Sequence, residues 1–270
     1  MLTHQQISGI KELTAICEDH DKITLKLNFD LLENRSNQEK RDFFHYEGDE
    51  LIGFIGLYGF GDTVEICGMV HPQHRRKKIF TSLYLDAIAL IKDLPFTNIL
   101  LNAPDRSPFA IEFLETLPCT FSFSEYQMKW EPCPIPQQVK EISLRLAQPN
   151  DLPIINVLNK VCFQSTHTIS EIRQTNTEIT YMIEKNPTIY GTATIVRNGN
   201  QSWICGLAID PSYQSRGLGS EALRRLVWME YERGQKVFLE VSTSNDQAMN
   251  IYFRNGFQTF NTQHYFEVGQ

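Results

Sequence analysis

The chain lacks the features of exported and membrane-bound proteins. Its 270 residues include no apolar run of the roughly 18 residues that a membrane-spanning helix needs, and the N-terminus has no cationic stretch followed by an apolar one. The six cysteines include no C-x-x-C pair, and most of them lie inside apolar stretches, as reduced and packed thiols do. These absences predict a cytoplasmic protein with no membrane partner.

Signals for metal and nucleic acid are also missing. His71 and His74 lie close together, but the sequence offers no third ligand near them, so we expect no bound metal. The formal net charge is −7, and a surplus of acid disfavours nonspecific binding to nucleic acid. The cationic run at residues 75–78 is too short to reverse that expectation. An acidic surface aids solubility, and it mildly attracts cationic molecules such as amines.

The two halves of the chain repeat one pattern. Ile66-Cys67-Gly68 precedes Val70-His71-Pro72 as Ile204-Cys205-Gly206 precedes Ile209-Asp210-Pro211, at offsets of 138 and then 139. Between the halves lies a proline-rich stretch that can continue neither a helix nor a central strand. The repeat therefore predicts two domains joined by a linker, with boundaries at residues 1–131, 132–138 and 139–270.

Hydrophobic periodicity predicts the order of elements in the second half. Antiparallel strands come first, and a strand–helix–strand crossover follows. The predicted strands cover residues 143–146, 179–183, 189–197, 202–209, 237–241 and 264–268, and the predicted helices cover residues 151–162, 170–175, 220–233 and 246–255. The first half begins with a helix near residues 5–18, so its opening strand is missing. We hypothesise that the linker or the other domain completes that sheet.

A glycine-bearing loop separates a predicted strand from a predicted helix in the second half. The loop reads Gln-Ser-Arg-Gly-Leu-Gly over residues 214–219. Gly217 and Gly219 have no side chains, so an oxyanion can approach the main chain closely. Free N–H groups and the partial positive charge at a helix start attract such an anion. The pattern therefore predicts a phosphate-binding loop.

The Q-x-x-G-x-G loop after a strand and an Asp-Pro turn resembles the acetyl-CoA diphosphate loop of the GNAT (GCN5-related N-acetyltransferase) superfamily. The resemblance implies an α/β (α+β) fold of two tandem GNAT-like domains, each a mixed, mostly antiparallel central sheet flanked by helices. It also implies acetyl-CoA as co-substrate, with an acyl arm lying between two splayed strands. The implied cofactor-binding residues are Leu207, Ile209, Gln214, Ser215, Arg216, Gly217, Leu218, Gly219, Ser220, Asn245 and Ala248.

The same loop invites a second interpretation as a dinucleotide-binding turn. Residues 217–222 fit the spacing G-x-G-x-x-A, which is a weak signal alone. A nicotinamide-binding half needs further parallel strand–helix units downstream, whereas here a set of antiparallel strands precedes the loop and little chain follows it. The GNAT interpretation therefore fits better.

Two side chains carry the predicted chemistry. Tyr252 lies one helical turn after Ala248, on the same face, where a phenol could protonate a departing thiolate. Glu240 precedes it on a strand and is the candidate base for the attacking amine. The spacing of these two residues resembles that of the ribosomal-protein N-terminal acetyltransferase branch. Tyr252 could instead simply pack on the sheet, and Glu240 could point to solvent or pair with an arginine.

The first half has lost these features. Lys78 and Phe80 replace the two loop glycines, and Leu114 replaces Tyr252. Bulky side chains crowd the path to the backbone N–H groups, and no acid is available for a leaving group. We therefore expect the first half to be a structural or substrate-shaping domain.

The resemblance implies an acetyl-CoA-dependent N-acetyltransferase. Its acceptor would be a primary amine of a small molecule or peptide, which attacks the thioester directly. The alternative is a noncatalytic acyl-CoA-binding sensor or scaffold protein, in which the fold survives without turnover. The sequence does not specify the acceptor, and it is compatible with a homodimer.

Overall fold

A computed structural model describes residues 2–35, 40–132, 142–163, 168–185 and 187–269. Most of the predicted linker, residues 132–138, lies outside these ranges. The chain forms two compact units. The first unit comprises Met1–Ser124 and Asn261–Gln270, and the second unit comprises Glu125–Phe260.

The first half of the chain supplies four helices and five strands among its described residues. In chain order they are α1 (His4–Asp21), α2 (Phe29–Glu33), β1 (Asp42–Glu47), β2 (Glu50–Phe60), β3 (Thr63–Val70), α3 (Ile79–Ile91), β4 (Asn98–Pro104), α4 (Pro108–Leu114) and β5 (Cys119–Trp130). Helix α1 starts at a capping box, in which Thr3 and Gln6 satisfy each other's backbone N–H groups. Strand β2 is buried on both faces. Its side chains belong to two apolar clusters, of which one also includes residues of α1 and the other includes residues of α3.

The second half supplies three helices and six strands among its described residues. They are β6 (Ser143–Leu146), α5 (Leu152–Phe163), β7 (Glu178–Lys185), β8 (Thr188–Asn198), β9 (Gln201–Ile209), α6 (Leu218–Tyr231), β10 (Lys236–Ser242), α7 (Asp246–Arg254) and β11 (Phe257–Val268). The predicted helix at residues 170–175 is wrong. Gln174 forms a β-bridge with Ile179, and its side-chain amide donates to Ala147 O at 3.0 Å and to Thr180 O at 2.8 Å. These tertiary bonds hold the segment in a nonhelical conformation.

Each unit contains one central sheet of mixed direction. In the first unit the strand order includes β1-β2-β3-β4-β11, and in the second unit it includes β5-β10-β9-β8-β7-β6. The pairs β3–β4 and β9–β10 are parallel, and the other neighbouring pairs within these two strand orders are antiparallel. The parallel pairs are joined by α3 and α6, as a crossover requires.

The two halves of the chain exchange their last strand segments. The second part of β5 pairs with β10, from Phe238↔Lys129 to Ser242↔Glu125. The second part of β11 pairs with β4, from Gln263↔Pro104 to Glu267↔Leu100. The domain boundaries predicted from the sequence repeat are 1–131 and 139–270. The compact units of the structure are instead divided inside two strands, after Ser124 in β5 and after Phe260 in β11.

The missing opening strand of the first half is not replaced by another described segment. Strand β1 is the first strand in the order of its sheet, so no described segment takes the place beside it. The hypothesis that the other domain completes this sheet is nevertheless confirmed, at a different position in the strand order. The strand that the other half does supply, β11, pairs with β4 instead.

A buried ion pair ties α6 to the sheet of the second unit. Glu230 has no exposed side-chain surface, and it accepts hydrogen bonds from Arg197 Nη2 at 2.6 Å and Ser202 Oγ at 2.7 Å. Burial alone would raise the pKa of Glu230, but the hydrogen bonds from Arg197 and Ser202 outweigh it and lower the pKa below 4.5. The carboxylate therefore stabilises the fold at neutral pH, and this stabilisation is lost as the pH falls through the lowered pKa.

We expect Glu230→Gln to lower the free energy of unfolding of the second unit by about 3 kcal/mol at neutral pH, because Arg197 loses its buried partner. All three tryptophans lie in the second unit, so their fluorescence during urea unfolding reports on that unit. Glu232→Gln, an exposed change near the end of the same helix, should cost less than about 0.5 kcal/mol. The difference between wild type and Glu230→Gln should shrink in acid. A difference that is constant with pH would contradict this account of the ion pair.

Candidate functional site

The site lies where the parallel ladder of the second unit stops. Strands β9 and β10 pair from Lys236↔Gln201 to Leu239↔Ile204 and no further. Cys205 and Glu240 are therefore the first residues beyond the ladder, at the start of a gap between the two strands. Such a gap can admit an elongated ligand arm, because the backbone groups that face it are released from strand pairing.

A β-bulge lies on one side of this gap. Thr194 pairs with Cys205, but Thr192 pairs with Ala208, so Gly206 and Leu207 together oppose one residue of β8. Gly206 has a φ of 57°, the left-handed conformation that glycine adopts without strain. This inserted residue accounts for the change from 138 to 139 residues in the offset between the two copies of the repeat. The paired strands β2 and β3 of the first unit contain no such irregularity in their register.

The predicted phosphate-binding loop enters α6 through two residues with positive φ. Ser215 has a φ of 60° and Gly217 a φ of 77°, and Leu218 begins the helix. The first helical hydrogen bond joins Glu221 N to Gly217 O at 3.1 Å. Within the described part of the chain, the amide N–H groups of residues 217–220 have no acceptor. They form an anion-binding group at the positive end of the helix.

The polar side chains of the loop form hydrogen bonds with main-chain oxygens close to it in the sequence. Gln214 Nε2 donates to Ile209 O at 2.9 Å, which fixes the loop to the end of β9. Arg216 donates to Ser212 O at 2.9 Å, and its guanidinium lies 5.4 Å from the centre of the Tyr213 ring. A Cβ built on Gly219 would lie 3.4 Å from Ile209 Cγ1, so this glycine also lies close to β9.

Asn255 is a positioning residue that the sequence analysis missed. Its Nδ2 donates to Ser220 Oγ at 2.9 Å and to Ile251 O at 2.6 Å, and its main-chain carbonyl oxygen accepts from Trp130 Nε1 at 2.9 Å. Asn255 is buried and connects the start of α6 to the end of α7. The hydroxyl of Ser220 is thus occupied within the protein. Its backbone N–H is the group available to a ligand.

Tyr252 lies on α7, at the edge of the apolar cluster that contains Leu239 and Val241. The helix is capped by Asn245, whose side chain accepts from Ala248 N at 3.0 Å. Burial raises the pKa of Tyr252 to about 12, and the charge that Cys205 carries when ionised adds to the effect. The phenol is therefore protonated throughout the neutral range.

Glu240 projects from the other face of β10. Successive strand residues point to opposite faces, and its neighbours Leu239 and Val241 are buried in the cluster beside Tyr252. Glu240 Oε1 accepts from Gln127 Nε2 at 2.8 Å. Gln127 is buried and stands opposite Glu240 in the β5–β10 ladder. The two predicted catalytic side chains thus lie on different faces of one strand, and the exchange of β5 supplies the partner of the carboxylate.

The structure brings the other predicted site residues to the same end of the sheet. Leu207 is part of the bulge and packs against the core, and Ile209 ends β9 as a buried residue. Asn245 and Ala248 start α7 directly after β10. Among the described residues, no group of three or more histidines, cysteines, aspartates or glutamates could hold a metal ion. None of the described helices has both the length and the apolar character required to cross a membrane.

The interrupted parallel ladder, the bulge beside it and the helix start with unpaired amides together place an anion-binding loop next to a strand gap. The profile of the acetyltransferase (GNAT) family matches residues 10–117 and again residues 153–257. The chain therefore belongs to the acetyltransferase (GNAT) family, and it has a tandem architecture. The predicted fold class and the assignment as an acyltransferase enzyme are confirmed.

Known proteins resemble the chain in part and as a whole. Over 75 residues it is 40% identical to the N-alpha-acetyltransferase RimI of Mycobacterium tuberculosis, and this match covers 26% of the chain and 46% of that protein. A GCN5-related N-acetyltransferase from Sphaerobacter thermophilus superposes with a TM-score of 0.76 at 16% identity, over 99% of this chain and 96% of the other. A tandem GNAT protein from the clavulanic acid biosynthesis pathway gives 0.69 at 13% identity, over 97% and 94%. Likeness at these identities establishes the fold alone.

Proposed function

We propose that the second unit transfers an acetyl group from acetyl-CoA to a primary amine by direct attack on the thioester. The observation that carries this proposal is the geometry at the end of the β9–β10 ladder. Unpaired amides at the start of α6 lie beside a strand gap, and a protonated phenol and a carboxylate lie on the two faces of β10.

The amides of residues 217–220 would bind the diphosphate of the coenzyme. Each hydrogen bond to a charged oxygen contributes about 1.5–3 kcal/mol, so the group as a whole can dominate the affinity. Arg216 would add a positive charge after turning away from Ser212 O. The arm of the coenzyme would lie in the strand gap, where the bulge at Gly206 and Leu207 leaves the ladder interrupted.

Glu240 would accept a proton from the acceptor, directly or through water. An amine attacks only when its lone pair is free, and a lysine-like ammonium group has a pKa of about 10.4. Gln127 fixes one carboxylate oxygen, which restricts the rotation of the side chain. The acceptor would thus approach from the face of β10 opposite to Tyr252.

Tyr252 would stabilise the departing thiolate. With a pKa of about 12, the phenol is a weaker acid than a thiol of pKa about 8.5, so full proton transfer to a free thiolate is uphill. The phenol acts instead as a hydrogen-bond donor that strengthens as negative charge develops on sulfur. The coenzyme leaves as a thiolate when the carbon–sulfur bond breaks, and the phenol keeps its proton.

We expect Glu240→Gln to lower kcat/KM by about 100-fold at neutral pH, because the amide cannot accept the proton. The loss should diminish toward about pH 8 for an α-amine and toward about pH 10 for a lysine-like amine, because the acceptor then loses its proton to solvent. Release of the coenzyme thiol measures the rate. Glu171→Gln, an exposed carboxylate of the same unit, should leave the rate unchanged. A loss that is equal at all pH values would argue against Glu240 as the base.

The acceptor that we propose first is the α-amine of a peptide. RimI, which matches part of this chain, is named an N-alpha-acetyltransferase. An α-amine has a pKa of about 7.7–8.0, so about a tenth to a sixth of it is unprotonated at pH 7, against less than about a thousandth of a lysine-like amine. Comparing peptides with free and blocked N-termini against small amines tests this acceptor class. Turnover of small amines alone would exclude it. A cytoplasmic location and a homodimer remain predictions of the sequence.

A further inference from the structure

Three aromatic side chains of the second unit lie together on one face of its sheet, and we call them the aromatic platform. Phe238 of β10 stacks on Trp203 of β9, with ring centres 5.0 Å apart and an angle of 21° between the rings. Phe260 of β11 packs edge-on against Phe238, with ring centres 5.7 Å apart and an angle of 73°. Phe238, in the centre, is 7% exposed, whereas Trp203 is half-buried and Phe260 is 44% exposed. The two outer rings can therefore contact a ligand.

The aromatic platform lies on the same face of β10 as the candidate base. Side chains two residues apart on a strand point the same way, so Phe238 and Glu240 share a face of the sheet. Leu239, between them, points to the other face, into the apolar cluster against which Tyr252 packs. The rise of a strand, about 3.3 Å per residue, separates the Cα atoms of Phe238 and Glu240 by about 6.6 Å. A molecule whose amine reaches Glu240 can therefore also contact the platform.

The fold itself does not require the aromatic platform. In the first unit Glu65 pairs with Leu100 where, in the second unit, Trp203 pairs with Phe238. The positions that correspond to the platform, at an offset of 138 residues, hold Glu65, Leu100 and Ser122. None of these three residues is aromatic, although the strands pair in the same way. The rings are thus dispensable for the sheet, and they are absent from the half of the chain that also lacks the candidate catalytic tyrosine.

The gap between β9 and β10 fixes the direction in which an acceptor extends. The gap begins at Cys205 and Glu240 and continues to the end of β9, which the phosphate-binding loop follows. The coenzyme would occupy this end of the strands. An acceptor that reaches Glu240 therefore extends the other way, over the paired part of the two strands. The aromatic platform is the surface that it meets there.

The charges around the aromatic platform favour an uncharged group on it. Lys129 pairs with Phe238 across β5–β10, and its ammonium group forms an ion pair with Glu131. The cation beside the platform is thus balanced within the protein. An aromatic or large apolar group gains free energy on the rings by burial and by ring–ring contact. An acidic group would lose hydration there, and Glu240 would repel it.

We propose that the aromatic platform selects peptide acceptors that carry an aromatic or large apolar side chain at their third residue. The first and third side chains of an extended peptide lie on one side of it, about 6.6 Å apart, which equals the separation of Glu240 and Phe238. With the N-terminus of the peptide at Glu240, the third side chain covers Trp203 and Phe260. This inference rests on the proposed function, because it takes Glu240 as the place of the amine.

The test compares three peptides as acceptors at saturating acetyl-CoA, with release of the coenzyme thiol as the measured rate. The peptides are Ser-Ala-Phe-Gly-Ala-Gly with an amidated C-terminus, the same peptide with alanine at position three, and an isomer with phenylalanine at position two. We expect kcat/KM to be about tenfold higher for the first peptide than for the second, because the ring is partly buried on the platform. The gain should appear in KM, since the platform binds the ground state and the transition state alike. The isomer should gain less than about twofold.

Substitutions in the aromatic platform should remove this preference. Phe260→Ala and Trp203→Ala should each reduce the tenfold ratio of kcat/KM to less than about threefold. The ratio compares two peptides on the same protein, so it does not depend on how much of a variant is folded. Trp228→Ala is the matched control, because Trp228 is an exposed tryptophan of α6, the helix that covers the other face of the sheet. This variant should retain the full ratio.

The failure of this proposal differs from the failure of the proposed function. Equal kcat/KM for the three peptides, an equal or greater gain for the isomer, or an unchanged ratio in Phe260→Ala and Trp203→Ala would overturn the platform as a selector while acetyl transfer stands. If no peptide is acetylated, calorimetry of the same peptides in the presence of coenzyme A decides. A tenfold difference in affinity that Phe260→Ala removes would then support the platform and refute the proposed transfer to peptides. Equal or undetectable affinities would overturn both.

Discussion

Replacing Tyr252 with phenylalanine is expected to lower kcat about 100-fold, which corresponds to the loss of one hydrogen bond to a developing thiolate, worth about 1.5–3 kcal/mol. The affinity for acetyl-CoA should change by less than about twofold, since the thioester sulfur carries little charge before the reaction. Single-turnover kinetics and calorimetry measure the two quantities separately. Tyr252 is half-buried at the edge of the core, and phenylalanine retains its packing against Phe257.

The dependence of the rate on pH gives an independent check on Tyr252. Because its pKa is raised to about 12, the phenol retains its proton through the alkaline range in which amines become nucleophilic. The wild-type rate should therefore not decline on the alkaline side because of this residue. Tyr231→Phe, an exposed position at the end of α6, serves as the control and should leave kcat unaffected. An unchanged kcat in Tyr252→Phe would remove the phenol from the mechanism.

Replacing Gly217 with valine is expected to weaken acetyl-CoA binding by at least about 30-fold. A β-branched residue is strongly disfavoured at a φ of 77°, so the loop must leave the conformation that presents its amides. The loss of one charged hydrogen bond, about 2 kcal/mol, already gives this factor. Calorimetry with acetyl-CoA measures the affinity.

Gly234 offers a matched control for the backbone strain. Its φ is 76°, and a Cβ built on it meets no atom within 4 Å. Gly234→Val should therefore lower stability by an amount similar to Gly217→Val, about 1–2 kcal/mol, while acetyl-CoA binding stays normal. If both variants lost binding equally, the effect would be global destabilisation, and the loop would not be the coenzyme site.

Local patterns in the sequence were sufficient to predict the elements around the site. The loop at residues 214–219 and the crossover helix that follows it depend on residues close together in the chain, and the structure contains both. The strand predicted for residues 202–209 matches β9 within one residue. The bulge in β9 also has a signal in the sequence, which is the one-residue change in the offset between the two copies of the repeat.

The features that the sequence did not predict depend on distant contacts. The segment at residues 170–175 has helix-compatible residues, but hydrogen bonds from Gln174 to Ala147, just after β6, and to Thr180 in β7 override that preference. Gln127 reaches Glu240 only because β5 enters the second unit, and no local motif signals a strand exchange. The conformation of the loop at residues 75–80 was missed for another reason. The loss of both glycines suggested a changed backbone, yet Arg76 and Lys78 have φ of 64° and 61°, close to the values of Ser215 and Gly217.

The exchange of β5 and β11 has a consequence for how the protein is made. Chains leave the ribosome from the N-terminus onward, and domains usually fold as they emerge. The first unit cannot follow that rule, because β4 must wait for residues 263–267 to be synthesised before its sheet is complete. Until then the edge of β4 exposes unpaired backbone groups, a template for wrong pairing between nascent chains. Expression of the two halves as separate polypeptides should accordingly give poor yields when each is made alone and better yields when both are made together.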